Sequence, residues 1–454
     1  MFVFSILAYI LFFSLLFLLI KGNREQQLLS LLLVNILFYI NVALIASPEL
    51  TPFQLLPYVF FAKEILFNFN DFKKACASFP VKSGIAIIFI AYILTTYANG
   101  GNAHNFYESF RYCFDKYLPM VAAFICAKDV NEKILTKHLF TFFFIFSCCG
   151  LFEFLLNHNY IRETIATAFP STRATDMFGP AGITKGVNSS SWRPRISLTT
   201  KHPTTLGTLL CTMFFFTFAY LKAIPQKNNP KKVKLVLIAL VATTILSGSR
   251  TALGCIFLGV LLYYTLQLSI KKKIFAFTIY GLLALQMSSI ALNSFGEKES
   301  GSSLSLRQQQ LLFTLIEFSQ KPIFGHGLYF TNHTILANDD DGKRLYYSKE
   351  ETEGLESIVF YTLLDIGLFG AFALLIFYGQ TFFYFYRHRD KNAHISTQGM
   401  LETSMLVVFL FLSGELGRNT EMCILFIGTS LGLLQQTIEN DPKSFEISSS
   451  DESE

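Results

Sequence analysis

The chain has 454 residues, of which 52% are hydrophobic and only 15% are charged, and its 50 phenylalanines contrast with a single tryptophan. Soluble proteins carry about 25% charged residues, so this composition excludes a disordered chain and a simple soluble enzyme. The formal net charge of +5 is small for the length and does not indicate a nucleic-acid partner. The composition predicts an integral membrane protein.

Apolar segments long enough to cross a bilayer recur along the chain. A spanning helix needs about 20 mostly apolar residues, because the hydrocarbon core is about 30 Å thick. We predict an all-α polytopic membrane protein with about thirteen spans. They lie near residues 2–20, 27–46, 52–67, 84–98, 106–127, 138–157, 203–224, 235–248, 251–269, 274–294, 356–386, 399–414 and 422–437. The first segment lacks a basic start and a small-residue cleavage site, so we interpret it as a retained helix.

The basic residues of the short loops all fall on one side of this predicted bundle. Each cluster lies two spans beyond the last, at 21–24, 73–82, 128–137, 227–234, 271–273 and 387–391. Because short cytoplasmic loops are enriched in lysine and arginine, this side is predicted to face the cytoplasm. The N-terminus and the two longest polar segments are then predicted on the outer face.

The same pattern divides the chain into six parts. N-terminal helices (1–157) precede a first external loop (158–202), central helices (203–294), a large external loop (295–355), C-terminal helices (356–437) and an acidic cytoplasmic tail (438–454). Long loops are usually functional, and the cytoplasmic loops are too short for a catalytic domain. We therefore expect any chemistry on the outer face. The eight cysteines form no CxxC pair and are expected to be small buried hydrophobic residues.

Arginines collect beside the outer ends of the central spans. Arg193 and Arg195 precede the span that begins near residue 203, and Arg250 lies in a Ser-Gly-Ser-Arg turn between two apolar segments. A planar guanidinium suits bidentate contact with phosphate or carboxylate, but arginine also anchors helix ends at the membrane interface. His202 is open to two interpretations, as a helix-start residue or as a participant in chemistry.

The large external loop contains an amphipathic segment and a glycine-flanked histidine. Apolar residues recur at a helical period over 305–319, which predicts a helix on the outer membrane surface with Arg307 near its start. Gly325 and Gly327 flank His326 in a turn that we expect to need positive φ. His326 is either a general base or a solvated turn residue.

Acidic residues lie beside the last three spans. Glu356 and Ser357 begin the span after the large loop, where a carboxylate is favoured by the helix dipole. His333 lies in the same loop. Glu415 and Arg418 occupy the last external turn, either as a mutual ion pair or as part of the same site.

Three of the arginines are predicted to meet on the outer face from separate segments. Arg195, Arg250 and Arg307, with a histidine and a helix-start glutamate, have the composition of a pocket for a diphosphate. The sequence has no Asp/Glu/His cluster with metal-ligand spacing, and we expect guanidinium groups to neutralise the developing charge in place of a divalent ion.

These segments, in this order, resemble the O-antigen polymerase and O-antigen ligase superfamily, membrane enzymes that act on undecaprenyl-diphosphate-linked sugars. The resemblance is best over residues 193–372, in RISLTTKHPTTLGTLL (195–210), SGSRTALGCIFLGVLL (247–262), LRQQQLLFTLIEFSQKPIFGHGL (306–328) and ESIVFYTLLDIGLFG (356–370). It implies a GT-C-like fold of about 12 transmembrane helices with a large periplasmic loop before the last three spans. It also implies metal-independent, inverting glycosyl transfer in a bacterial plasma membrane, without a cofactor.

By motif, the resemblance implies that Arg195, Arg250 and Arg307 bind the diphosphate. Ligases of the superfamily tend to carry a histidine where this chain has Glu356, so a polymerase with Glu356 as base is favoured, although His326 and His333 remain in the loop. A chain-length regulator and a flippase are the protein partners implied.

Two alternatives remain open from the sequence. A ligase would use the same donor with a lipid A core acceptor. A transporter usually shows internal repeats and charged helices near the midplane, and we find no convincing repeat. Lys63 and Glu64 lie inside the third span and Asp365 inside a later one, as local structural partners or as part of a transport path.

Overall fold

A computed structural model describes residues 2–38, 44–46, 49–169, 195–200, 202–223, 231–276, 278–279, 303–328, 330, 357–412 and 418–440. For some of these residues, Arg307 and Arg418 among them, only the backbone is described. The elements over these ranges are helices apart from one short antiparallel pair, β1 (Ile45–Ala46) with β2 (Glu49–Leu50).

The helices overlap the predicted spans. In chain order they are α1 (Phe2–Lys21), α2 (Arg24–Leu37), α3 (Pro52–Phe67), α4 (Phe69–Ala77), α5 (Lys82–Ala98), α6 (Ala103–Ala127), α7 (Glu132–Leu156), α8 (Tyr160–Ala168), α9 (Pro203–Ala223), α10 (Lys231–Ser247), α11 (Arg250–Leu266), α12 (Ser303–Gln320), α13 (Ile358–Arg387), α14 (Ala393–Leu412) and α15 (Arg418–Glu439). Each predicted span overlaps one of them except 274–294, most of which lies outside the described residues. The amphipathic segment 305–319 is confirmed as a helix, α12.

Four helices in the described part of the chain are long and apolar enough to cross a membrane: Glu132–Leu156, Pro203–Ala223, Ile358–Arg387 and Glu421–Glu439. α4 and α5 would add a fifth span if taken together, although they are bent by 89°. These helices confirm the all-α polytopic membrane architecture. The count of about thirteen spans and the GT-C-like arrangement stay predictions.

α9 lies at the centre of the bundle. It contacts α10, α11, α14 and α15, and nearly every side chain from Pro203 to Ala219 is buried. A helix that is buried on all sides must be apolar or must satisfy its own polar groups. The threonines of α9 do the latter: Thr212 and Thr217 donate to the backbone carbonyls four residues earlier.

An ion pair with a buried carboxylate joins α2 to α3 at the end that carries the basic loops. Arg24 of α2 donates to both oxygens of the fully buried Glu64 of α3, at 2.7 and 2.9 Å. Lys63 Nζ lies 3.9 Å from Glu64 Oε1. Because Glu64 has a bidentate partner from another helix, the contacts favour the structural interpretation of Lys63 and Glu64 over a transport path. The cysteines are all free thiols.

α13 is interrupted at Gly367, where the backbone has φ 66° and ψ −164°. The break leaves the carbonyls of Leu364 and Asp365 without partners inside the helix. The amide of His326 donates to the Leu364 carbonyl at 2.7 Å, and the amide of Gly327 donates to the Asp365 carbonyl at 2.9 Å. The loop 321–328 thus takes the place of the missing helical turn.

The loop 321–328 also accepts hydrogen bonds from the backbone amides at the start of the second half of α13. The amide of Leu368 donates to the Pro322 carbonyl at 2.9 Å, and the amide of Phe369 donates to the Ile323 carbonyl at 3.1 Å. A backbone break inside a membrane bundle is tolerated only where its polar groups are satisfied by protein or water. The loop therefore belongs to the bundle and is part of its architecture.

Gly367→Ala is expected to destabilise the protein. An added Cβ would lie 2.4 Å from the Ile323 carbonyl oxygen and 2.6 Å from the Gly325 amide nitrogen. The backbone conformation at Gly367 is essentially restricted to glycine, and other residues lose about 1–3 kcal/mol there. The thermal unfolding midpoint of the purified protein in detergent measures this loss.

Gly379→Ala, in the same helix, is the matched control. No heavy atom lies within 4 Å of its added Cβ, and alanine is favoured over glycine in a helix interior by about 1 kcal/mol. We expect an unchanged or higher midpoint for this variant. Equal midpoints for the two variants would contradict the broken-helix geometry.

Candidate functional site

The segment 195–200 crosses the interior of the bundle. Its residues from Ile196 to Thr200 are at most 2% exposed, and Thr199 Oγ1 donates to the Ile36 carbonyl of α2 at 2.6 Å. The sequence indicated only a polar external loop that leads into the next span. The structure adds that the segment is a buried stretch of irregular backbone, whose polar groups need partners from the surrounding helices.

The carboxylate of Glu153, near the end of α7, holds this segment by its backbone. Its oxygens accept from the amides of Ser197 and Leu198 at 2.9 and 2.8 Å. Asn159 donates to the Leu198 carbonyl at 2.7 Å. Leu198 has φ 48°, in the left-handed region that side chains rarely adopt. The contacts from Glu153 and Asn159 therefore stabilise an otherwise unfavourable turn.

Arg162 of α8 balances the buried carboxylate. It is only 3% exposed, and its Nη1 lies 3.4 Å from Ser197 Oγ. Burial lowers the pKa of Arg162, and the negative charge of Glu153 raises it. Opposite charges offset part of each other's desolvation in such a place. In the sequence, the contact of Glu153 with Arg162 and the segment 195–200 is indicated only by one acidic residue near the end of an apolar span.

Glu153 holds the backbone at Ser197 and Leu198, and from this backbone the Arg195 side chain reaches the turn before α11. Arg195 Nε donates to the Ser247 carbonyl at 3.0 Å, and the side chain lies against Gly248, where an added Cβ would be 2.9 Å from Nε. Burial lowers the pKa of Arg195, and the positive charge of Arg250 lowers it further. The Arg195 side chain therefore lies beside Gly248, two residues before Arg250, and the two positive charges influence each other.

Neither arginine of this pair has an acidic partner among the described residues. Arg195 is half-buried and Arg250 is exposed, and within the described ranges neither forms an ion pair or donates to a carboxylate. Arg250 is the first residue of α11, whose start is capped by Ser249 Oγ accepting from the Ala252 amide. A helix N-terminus carries partial positive charge. Two guanidinium groups and a helix start together form a geometry suited to an anion.

His326 lies on the loop that fills the break in α13. The predicted turn is confirmed, with φ 64° at Gly325 and 110° at Gly327. His326 Nε2 lies 2.9 Å from the Glu317 carbonyl oxygen, and its ring stacks on Phe330 at 4.1 Å. Because a carbonyl only accepts, Nε2 donates in this contact, and in a neutral imidazole Nδ1 is then the acceptor.

Asn99, just after α5, anchors this loop to the bundle. Its Nδ2 donates to the Gly325 carbonyl at 3.1 Å, and its Oδ1 accepts from Lys321 Nζ at 2.7 Å.

The first half of α13 is anchored by Ser357, whose Oγ donates to the Leu410 carbonyl at 3.2 Å. This hydrogen bond gives Ser357 a structural role at the start of α13.

His202 acts as a helix-start residue. Its Nδ1 accepts from the Thr204 amide at 3.2 Å, at the first turn of α9. Arg307 lies in the first turns of α12 and Arg418 begins α15, and their side chains are outside the described part. The remaining predicted site residues also lie outside the described residues: Arg193, His333, Glu356 and Glu415.

A family model described as O-antigen ligase matches residues 235–375. The matched range contains Arg250, α12, the loop with His326 and the break in α13. No curated protein matches the chain. The similarity over residues 235–375 confirms the resemblance to the O-antigen polymerase and ligase superfamily and supports a function in membrane-bound glycan transfer.

Proposed function

We propose that this protein is a membrane glycosyltransferase that polymerises oligosaccharide repeats linked to undecaprenyl diphosphate. The main support is the position of Arg195 against the turn at Ser247 and Gly248, just before Arg250, with no acidic partner for either arginine among the described residues. Arg195 is half-buried beside a second positive charge, and an anion bound there would offset both the burial and the repulsion. A diphosphate supplies that charge, and guanidinium forks suit its oxygens.

In this proposal the arginines act on the leaving group. As the bond between the anomeric carbon and the diphosphate oxygen breaks, negative charge grows on that oxygen, and Arg195 and Arg250 stabilise it. Arg307 of α12 joins them, with Arg193, Arg418 and Glu415 in supporting positions. The diphosphate leaving group supplies the driving force, so ATP is not needed, and in this proposal the guanidinium groups take the place of a divalent ion.

The acceptor is a sugar hydroxyl on a second lipid-linked repeat. Its oxygen forms the new bond from the face opposite the diphosphate, which inverts the anomeric carbon. Its proton passes to a general base, either Glu356 or His326 through Nδ1. The reaction takes place on the outer face of a bacterial plasma membrane, next to the flippase and chain-length regulator of the same pathway.

An O-antigen ligase is the second candidate. The description of the matching family favours it. Ligases tend to carry a histidine at the position of Glu356, and in this chain His326 could supply the imidazole from the neighbouring loop. Glycan patterns on gels separate the two. Loss of a polymerase leaves single repeats attached to the lipid A core, whereas loss of a ligase leaves polymer that is not attached.

Arg250→Ala is expected to reduce polymer formation by about 10²- to 10³-fold, because one preorganised donor to the leaving group is lost. Arg250 is exposed, so membrane insertion should be unchanged. The measurement is conversion of a purified lipid-linked repeat to polymer by the reconstituted protein, without added metal. Lys232→Ala, an exposed cation at the other end of α10, is the control. Wild-type glycan lengths from Arg250→Ala would remove Arg250 from the site.

His326→Gln tests the choice of base. Glutamine can still donate from Nε2 to the Glu317 carbonyl but cannot take a proton. If His326 is the base, single-turnover rates should fall by about 10²- to 10⁴-fold with an unchanged melting temperature. A near wild-type rate in His326→Gln, together with a large loss in Glu356→Gln, would assign the base to Glu356.

Glu153→Gln should misplace Arg195. The amide group of glutamine cannot accept from both backbone amides, and each buried donor left unsatisfied costs about 1–3 kcal/mol. We expect a lower melting temperature and, at temperatures where the variant is folded, a higher KM for the lipid-linked donor. Glu25→Gln, which removes a carboxylate paired with His138, is the control. A donor KM equal to that of the wild type would contradict the positioning role of Glu153.

A further inference from the structure

A cavity of about 420 Å³ opens between α11, α13 and α14 at the end of the bundle that carries the basic loops. Lys273, Tyr386, Arg389 and Asp390 line its mouth. α11 has 17 residues, about 25 Å of helix. Because Arg250 begins α11 and this mouth lies beyond the other end of that helix, the cavity is separate from the candidate diphosphate site.

The mouth of the cavity has an excess of positive charge. Lys273 Nζ and Arg389 Cζ lie 5.9 and 4.8 Å from the centroid of the Tyr386 ring. Asp390 is 3.8 Å from Arg389 Nε, but its side chain is 91% exposed, so water screens its charge. Lys273 has no ion-pair partner among the described residues, and the exposed Lys271 and Lys272 adjoin it.

A second cavity, apolar and of about 210 Å³, lies between α11 and α14, farther along both helices from the basic loops. Its walls include Leu258 and Leu262 on α11, and Met405 and Val408 on α14. Leu262 lies one turn from Leu266, and Met405 lies one turn from Leu401, and Leu266 and Leu401 line the basic cavity. The two cavities therefore follow one another along the same helix pair, polar and cationic at one end and apolar farther in.

We propose that this groove binds an anionic phospholipid from the leaflet on the side of the basic loops. The phosphate lies at Lys273 and Arg389, the glycerol backbone lies beside Tyr386, and an acyl chain lies along the apolar section. Basic pockets between transmembrane helices on the cytoplasmic side suit such headgroups. Free phosphate would leave the apolar section unfilled, and a peptide there would leave its backbone polar groups unsatisfied.

The test is native mass spectrometry of the full-length protein in detergent, titrated with phosphatidylglycerol and with phosphatidylcholine of the same acyl chains. The wild type should bind phosphatidylglycerol in preference. Each cation near a membrane surface contributes about a fivefold factor, so the double variant Lys273→Ala/Arg389→Ala should bind phosphatidylglycerol roughly 25-fold more weakly. Both side chains lie at the surface, and the melting temperature should be unchanged.

Lys232→Ala/Lys234→Ala is the matched control, because it removes the same charge from exposed residues at the same end, outside the cavity. It should retain wild-type binding. An equal loss in the two double variants, or wild-type binding by Lys273→Ala/Arg389→Ala, would overturn the proposal. Displacement of the bound lipid by excess inorganic phosphate would also overturn it, because the site would then recognise the headgroup charge alone.

Discussion

The contact between the Glu153 carboxylate and two consecutive backbone amides determines where Arg195 lies. A buried carboxylate in a membrane bundle is unfavourable alone, and so is a buried segment of irregular backbone. Glu153 and the segment 195–200 satisfy each other, and Arg162 supplies the opposite charge. Arg195 can therefore approach Arg250 from a rigid support, although neither arginine has an acidic partner among the described residues.

The loop 321–328 repeats the same physical solution with different groups. At Glu153 a side chain satisfies loop amides, whereas at Gly367 loop and helix exchange backbone hydrogen bonds in both directions. In each case a segment of irregular backbone packs into the bundle, and groups of a neighbouring helix satisfy its backbone polar groups. These two inserted segments hold Arg195 and His326, the predicted site residues whose surroundings are best defined.

α11 connects the two sites proposed here. Its first residue, Arg250, contributes to the candidate diphosphate site, and its last turns line the cavity that we assign to an anionic lipid. The apolar section lies between them, along the contact of α11 with α14. In both proposals the ligand combines an anionic head with an apolar chain, and α11 contributes to both sites.

The sequence alone determined the membrane class, the positions of the helices, the amphipathic α12 and the positive φ at Gly325 and Gly327, because these depend on local composition and periodicity. It also identified Arg195 and Arg250 as candidates, through the cost of charge beside apolar segments. Only the tertiary structure showed that Glu153 accepts from residues 44 and 45 positions away along the chain, and that α13 is broken to receive the loop. Both depend on contacts between segments distant in sequence, and one acidic residue or one glycine in an apolar span does not reveal its partner.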